Sequence, residues 1–335
     1  MDKNQGIVYR FSESEPTLDQ FAADVKNGLG SQTKYLKPKY FYDQIGSNIF
    51  EQICIQPEYY IARIESDILR NSSPDIVSIC NGDISIVELG SGSSSKTRIL
   101  LEHTLEKQTF LHYFPIDVSH NILHQTVRSL SSDFSNLRTI GISSDYAIGI
   151  EKATELITTQ YSLTSRKLIL FLGSSIGNFE PFEATSFLQM IKHVMDNKDL
   201  LLVGFDLQKE PKILDAAYND RAEMTAKFNL NLLSRINRDL GGEFDIKSFN
   251  HCAFYNKNKE RIEMHLISKA DQNVYIEIID TSFRFKEGES IHTENSYKYS
   301  LEQIQHLVEG SGFELKMNFL DQRKWFDLAL LSPLR

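Results

Sequence analysis

The run Ile84-Ser85-Ile86-Val87-Glu88-Leu89-Gly90-Ser91-Gly92 decides the reading of this chain. Its first six residues are mostly β-branched or apolar and suit a strand covered on both faces, as in a parallel sheet. The glycines that follow let the backbone turn sharply and approach a ligand closely. Downstream, the spacing predicts a helix over 97–105, a strand over 110–116 ending at Asp117, a helix over 123–130 and a strand over 137–142. A helix over 150–158, an apolar strand over 167–172, a helix over 182–195 and a strand over 199–205 continue the pattern. Strands alternating with helices predict an α/β fold with a parallel sheet covered on both faces.

After Asp206 the pattern changes. Residues 211–237 read as one long helix, and 249–285 alternate, with Ile262, Met264 and Leu266 on one face and Val274, Ile276 and Ile278 on another. Such alternation predicts antiparallel strands joined by polar turns. Ser300, with Gln303 at capping-box spacing, opens a last helix that Gly310-Ser311-Gly312 ends, and two strands follow over 313–319 and 325–331. The expected architecture is therefore a Rossmann-like domain over 63–208 plus 298–335. An inserted α+β segment over 209–297 would pack with residues 1–62, since neither has an obvious core alone.

Composition narrows the function. The chain has 335 residues, 41% hydrophobic and 24% charged, ordinary for a soluble enzyme. No apolar run approaches the ~20 residues that span a bilayer, and the polar stretch 1–15 does not read as a secretory signal. Three separated cysteines suit neither a disulfide framework nor a zinc site, and nine scattered histidines form no ligand motif, so no metal is expected. A net charge of −9 without a basic block argues against a nucleic-acid partner. A small molecule, a cytoplasmic location and a monomer are the expectations that remain.

The motifs then specify the ligand. A dinucleotide fold needs a third glycine where Ser95 stands, whereas a nucleoside carrying a sulfonium needs no pyrophosphate cradle. Asp117, followed by Val118, ends the second strand of the repeat, where a carboxylate can accept both ribose hydroxyls. Gly90, Ser91, Gly92, Asp117 and Val118 are thus candidate cofactor-binding residues. Asp145 and Tyr146 follow the third strand, where an acid can meet an adenine amino group; Asp145 is otherwise a solvated loop residue. Asn178, in Gly173-Ser174-Ser175-Ile176-Gly177-Asn178-Phe179, follows the fourth, at the edge where open sheets bind ligands. It reads as a substrate contact or as a turn-forming residue.

In these segments the chain resembles the L-histidine Nα-methyltransferases of ergothioneine biosynthesis. The resemblance extends from about Tyr40 to Leu331. It includes Tyr40-Phe41-Tyr42-Asp43, Pro57-Glu58-Tyr59-Tyr60 with Arg63 and Glu65, Lys96-Thr97-Arg98, Ala217-Tyr218, Arg261-Ile262-Glu263-Met264 and Thr293-Glu294. It implies a Rossmann-like class I methyltransferase domain with an inserted α+β substrate-binding domain. It also implies S-adenosylmethionine as cofactor, S-adenosylhomocysteine as product, and the trimethylated betaine hercynine as end point. Carried over by position, Gly90, Lys96, Asp117, Asp145 and Tyr146 would contact the cofactor. Asn178 and Tyr218 would hold the amino-acid head group, and Tyr42 and Tyr59 would close over it, with Tyr42 and Asn178 in the catalytic roles. Glu294 and Ser296 would bond the imidazole, with Met264 packed against the ring. Asn295 departs from the pattern, but on a strand its side chain should point away from Glu294. The alternative substrate is another small amine.

Overall fold

The computed structural model describes residues 6–11, 17–161, 163 and 165–334, so the rest of the polar N-terminal stretch lies outside the described residues. In chain order the strands are β1 (Ile7–Arg10), β2 (Ile84–Leu89), β3 (Leu111–Asp117), β4 (Leu137–Ser143), β5 (Arg166–Phe171), β6 (Leu200–Asp206), β7 (Phe249–Asn256), β8 (Arg261–Ser268), β9 (Gln272–Ile276), β10 (Thr281–Phe285), β11 (Ser290–Tyr297), β12 (Phe313–Leu320) and β13 (Phe326–Pro333). The α-helices are α1 (Leu18–Gly30), α2 (Gln44–Cys54), α3 (Tyr60–Cys80), α4 (Thr97–Lys107), α5 (His120–Asp133), α6 (Tyr146–Glu155), α7 (Pro181–His193), α8 (Pro211–Ala217), α9 (Met224–Leu240) and α10 (Leu301–Gly310).

The chain divides into two compact units. The first comprises Ile61–Gln208, the C-terminal stretch from Lys298, and the N-terminal strand. Its eight-stranded sheet runs β1-β4-β3-β2-β5-β6-β13-β12. Strands β1 to β6 are parallel, and β13 runs antiparallel between β6 and β12. Every residue of β2, β6 and β13 is buried, which is why these segments are apolar almost throughout rather than alternating. Chain order reverses between β2 and β5, so the carboxyl ends of β2, β3 and β5 open on one crevice, the usual ligand position in such sheets. This is the Rossmann-like class I arrangement. The capping box at Ser300 and Gln303 is formed as the spacing predicts.

The second unit comprises Pro16–Tyr60 and Lys209–Tyr297. It holds the three-stranded antiparallel sheet β11-β8-β7 and the β9–β10 hairpin. The amphipathic helix α9 buries Phe228, Leu232, Leu233, Ile236 and Leu240. Asp43 caps α2 through the Gly46 amide at 2.7 Å and also accepts from Asn231 and Arg238 of α9. The short segment bearing Tyr42 is thereby fixed to the helix.

Two expectations need correction. The sequence pattern places residues 7–10 with the insertion, but they form β1, which adds in register beside β4 (Val8 opposite Gly141) and belongs to the first unit. A single helix over 211–237 is interrupted at 218–223. There Asp220 accepts the Met224 and Thr225 amides at 2.8 Å, and Glu223 takes a left-handed conformation with φ 55°. Local side-chain bonds out-competed helix propensity. Among the described residues, no helix is long and apolar enough to cross a membrane.

Candidate active site

In the first unit, the cofactor candidates gather at the carboxyl end of the sheet. Gly90 leaves β2 with φ 71° and Gly92 follows with φ 49°, conformations costly for residues with a Cβ. A Cβ on Gly90 would also come within 3.1 Å of the Tyr146 hydroxyl. The Gly90 and Ser91 amides bond the Ile116 carbonyl at 2.9 and 3.1 Å, which ties the loop to the end of β3. Asp117 accepts the Gly92 and Ser119 amides, both at 2.8 Å. These bonds orient its carboxylate, whose oxygens each accept more than one hydrogen bond. Ser91 Oγ is buried with no partner among the described residues. A left-handed glycine turn beside an oriented carboxylate at the end of the next strand fits a nucleoside cofactor.

Asp145 is exposed and caps α6 through the Ile148 amide at 3.0 Å. The cap holds its carboxyl just past the end of β4, at the start of α6. Tyr146 packs edge-on against Phe171 and Phe187 at 5.4 and 5.6 Å. Burial holds its phenol protonated, with its pKa well above the ordinary range. Val118 is half-buried just past β3. Asn178 ends a 3₁₀ turn (Ser175–Asn178) entered through Gly173 and Ser174, both at positive φ.

In the second unit, Tyr42, Tyr59, Tyr218, Met264, Glu294 and Ser296 converge. Glu294 and Ser296 lie on one face of β11 and are both buried. Met264 stands opposite Glu294 on β8, and Tyr218 donates or accepts a 2.8 Å hydroxyl bond with Ser296. Tyr59 meets the Tyr218 ring edge-on at 6.3 Å, and Phe50 bridges Tyr59 and Tyr42. Burial raises the Tyr59 pKa far above its usual value, and nearby Tyr218, Cys54, Tyr42 and Glu294 raise it further. Its hydroxyl is therefore a neutral hydrogen-bonding group and cannot serve as a proton sink near neutral pH. Asn295 points to the opposite face, where it accepts from or faces the His292 ring at 2.8 Å.

That facing depends on a feature the sequence pattern did not disclose. The β8–β11 register slips by one residue between His292 and Glu294, so Thr293 forms a bulge. Without it, His292 and Glu294 would share a face. The Thr293 hydroxyl sits beside Asn229 Oδ1 (2.8 Å) and the Met264 carbonyl (3.1 Å). Asn229 Nδ2 donates to His251 Nδ1 and to the His265 carbonyl, and His251 Nε2 bonds the Tyr218 carbonyl at 2.9 Å. Because Nδ1 accepts, His251 is the neutral tautomer with its proton on Nε2, and burial lowers its pKa accordingly. This chain of bonds ties the Tyr218 backbone to the bulge at Thr293, the residue before Glu294. Polar residues at i and i+4 or on strand edges carry no sequence mark of such a role.

The first unit holds a comparable hidden network. Glu88 is buried and accepts from Thr97 at 2.5 Å and from Tyr113, whose hydroxyl also meets Ser94 at 2.7 Å. Burial nevertheless pushes the Glu88 pKa up to about 7.

The sheet order, the glycine turn after β2 and the carboxylate after β3 define a class I methyltransferase that uses S-adenosylmethionine. The more particular assignment comes from relatives. The family model described as "Histidine-specific methyltransferase, SAM-dependent" matches residues 21–333, and the chain belongs to that family. It is 36% identical over 309 residues to the histidine N-alpha-methyltransferase of Mycobacterium tuberculosis (strain CDC 1551 / Oshkosh), covering 92% of this chain and 94% of that protein. The enzyme of the same name from Mycolicibacterium smegmatis is 35% identical, with 95% and 96% covered. Ergothioneine biosynthesis protein 1 of Schizosaccharomyces pombe is 28% identical across 82% of this chain, which spans 36% of that longer protein.

Proposed function

We propose that the chain transfers methyl groups to the α-amino nitrogen of L-histidine, on to the trimethylated betaine, as a step in ergothioneine biosynthesis. The observation that carries this reading is the pairing of Glu294 and Ser296 on one buried strand face, with the Tyr218 hydroxyl on Ser296. An acceptor carboxylate and a hydroxyl at i and i+2 can satisfy both nitrogens of an imidazole. A phenyl or branched aliphatic side chain would leave them unpaired, which a buried site penalises heavily.

When bound, S-adenosylmethionine supplies an electrophilic methyl group. The chain's own residues supply position, orientation and exclusion of water. In this reading Asp117 holds the ribose hydroxyls, Asp145 and Tyr146 the adenine, and the Gly90–Gly92 turn the nucleoside's flank. Asn178 orients the α-amino nitrogen without fixing a positive charge on it, so the lone pair stays available. Tyr42, Tyr59 and Tyr218 line the head-group region, and their ring faces favour a methylated ammonium over a bare amine by cation–π attraction. The neutral phenol of Tyr59 can orient but not deprotonate the amine, so the proton passes to water. An acidic chain whose three cysteines form no disulfide suits the cytoplasm, and a monomer completes the proposal.

The test is to supply S-adenosylmethionine with each proteinogenic amino acid and read products by mass spectrometry. Methylated histidine alone is expected. Glu294→Ala should then lower kcat/KM for histidine about 10- to 100-fold, the worth of a hydrogen bond to a charged group. Methylation of another amino acid with histidine untouched would overturn the imidazole assignment.

A further inference from the structure

Glu65 lies on α3, away from every motif that signals the cofactor, and is fully buried. Both of its carboxylate oxygens are committed. Oε1 accepts the Gly173 amide at 2.7 Å, and Oε2 pairs with the Lys96 ammonium. Gly173 opens the turn that ends at Asn178, and Lys96 lies between the glycine loop and α4. One carboxylate therefore joins the segments that leave β2 and β5, the two strands on either side of the order reversal.

A second observation supports a purpose for this arrangement. Gly204 interrupts the apolar strand β6, and a Cβ there would fall 2.5 Å from Glu65 Oε1. The glycine makes room for the carboxylate in a strand that otherwise has no need of one. Stability alone gives little reason for the design, since well-packed apolar residues often replace a buried ion pair without loss. Lys96 remains about a quarter exposed, so its ammonium, with three donors, can serve Glu65 and a ligand carboxylate together.

We propose that Glu65 is a positioning residue: it aims Lys96 at the carboxylate of the cofactor's amino-acid end and sets the turn that carries Asn178. This rests on the cofactor site proposed above. The experiment titrates S-adenosylhomocysteine by calorimetry into wild type, Glu65→Gln, Lys96→Met, the double variant and Asp117→Ala. Glu65→Gln and Lys96→Met should each weaken binding about tenfold, and the double variant should bind no more weakly than Lys96→Met. Wild-type affinity in Glu65→Gln, or penalties that multiply in the double variant, would overturn the inference. Unchanged affinity in Asp117→Ala would instead sink the site reading itself. Glutamine keeps an acceptor for the Gly173 amide and alanine does not. Glu65→Ala should therefore have a kcat about tenfold below Glu65→Gln at saturating substrates; equal values would remove the Gly173 arm.

Discussion

Asp327, on β13, offers a stability measurement with a fixed sign. It is fully buried, and neither carboxyl oxygen has a hydrogen-bond partner among the described residues; the Phe319 amide faces it without closing a bond. Burial pushes its pKa from 3.8 up to about 7. The folded chain then holds a proton that the unfolded chain has released, so stability falls as pH rises from about 4 to about 7. At ~1.4 kcal/mol per pH unit, the ionised form withholds about 4 kcal/mol once both states have lost the proton. Asp327→Asn removes this titration. The amide brings its own cost, but that cost does not change with pH, so the slope is the readout. Trp325, the single tryptophan, lies two residues away and reports unfolding around this strand by fluorescence. Urea titrations at pH 5 and pH 8 should show the variant gaining about 2–3 kcal/mol on wild type between the two. Parallel pH curves for the two proteins would refute the reasoning.

Lys298 and Asp206 form an ion pair at 2.8 Å with both side chains fully buried, so Lys298→Met should destabilise by about 3–5 kcal/mol in a thermal or urea melt. Replacing both with apolar residues should recover most of that loss. Asn229→Leu breaks the bonds to His251, Thr293 and the His265 carbonyl. It should cost about 1–3 kcal/mol and raise the histidine KM in steady-state assays while leaving S-adenosylhomocysteine affinity unchanged.

What could be read in advance follows the range of the forces involved. The buried runs of β2, β5 and β6 and the Ser300 capping box are local, and they appear where the spacing predicts them, with ends shifted by a residue or so. The glycine turn and Asp117 are legible because backbone geometry demands those residue types. β1 was missed because four residues carry too little pattern, and its place is decided by pairing with a strand over a hundred residues away. The break at Asp220 was missed because the surrounding apolar spacing is helical on both sides. The bonding roles of Glu65, Glu88 and Asn229 escaped for a further reason. Their partners are distant in sequence, and a polar residue in a helix or strand looks solvated until the fold shows what covers it.

The place of β13 has a consequence for how the chain is made. Its partner β6 ends at Asp206, but β13 begins only at Phe326 and slots between β6 and β12. At ribosomal speeds of ~5–20 residues per second, the Leu200–Asp206 edge waits on the order of ten seconds for its neighbour. Throughout that interval an almost wholly apolar strand, ending in the Asp206 carboxylate, offers a row of unpaired amides and carbonyls to any passing strand, including another copy of itself. Nascent chains halted before the β12–β13 hairpin would thus be sticky intermediates, and β13 acts as the closing seam of the sheet.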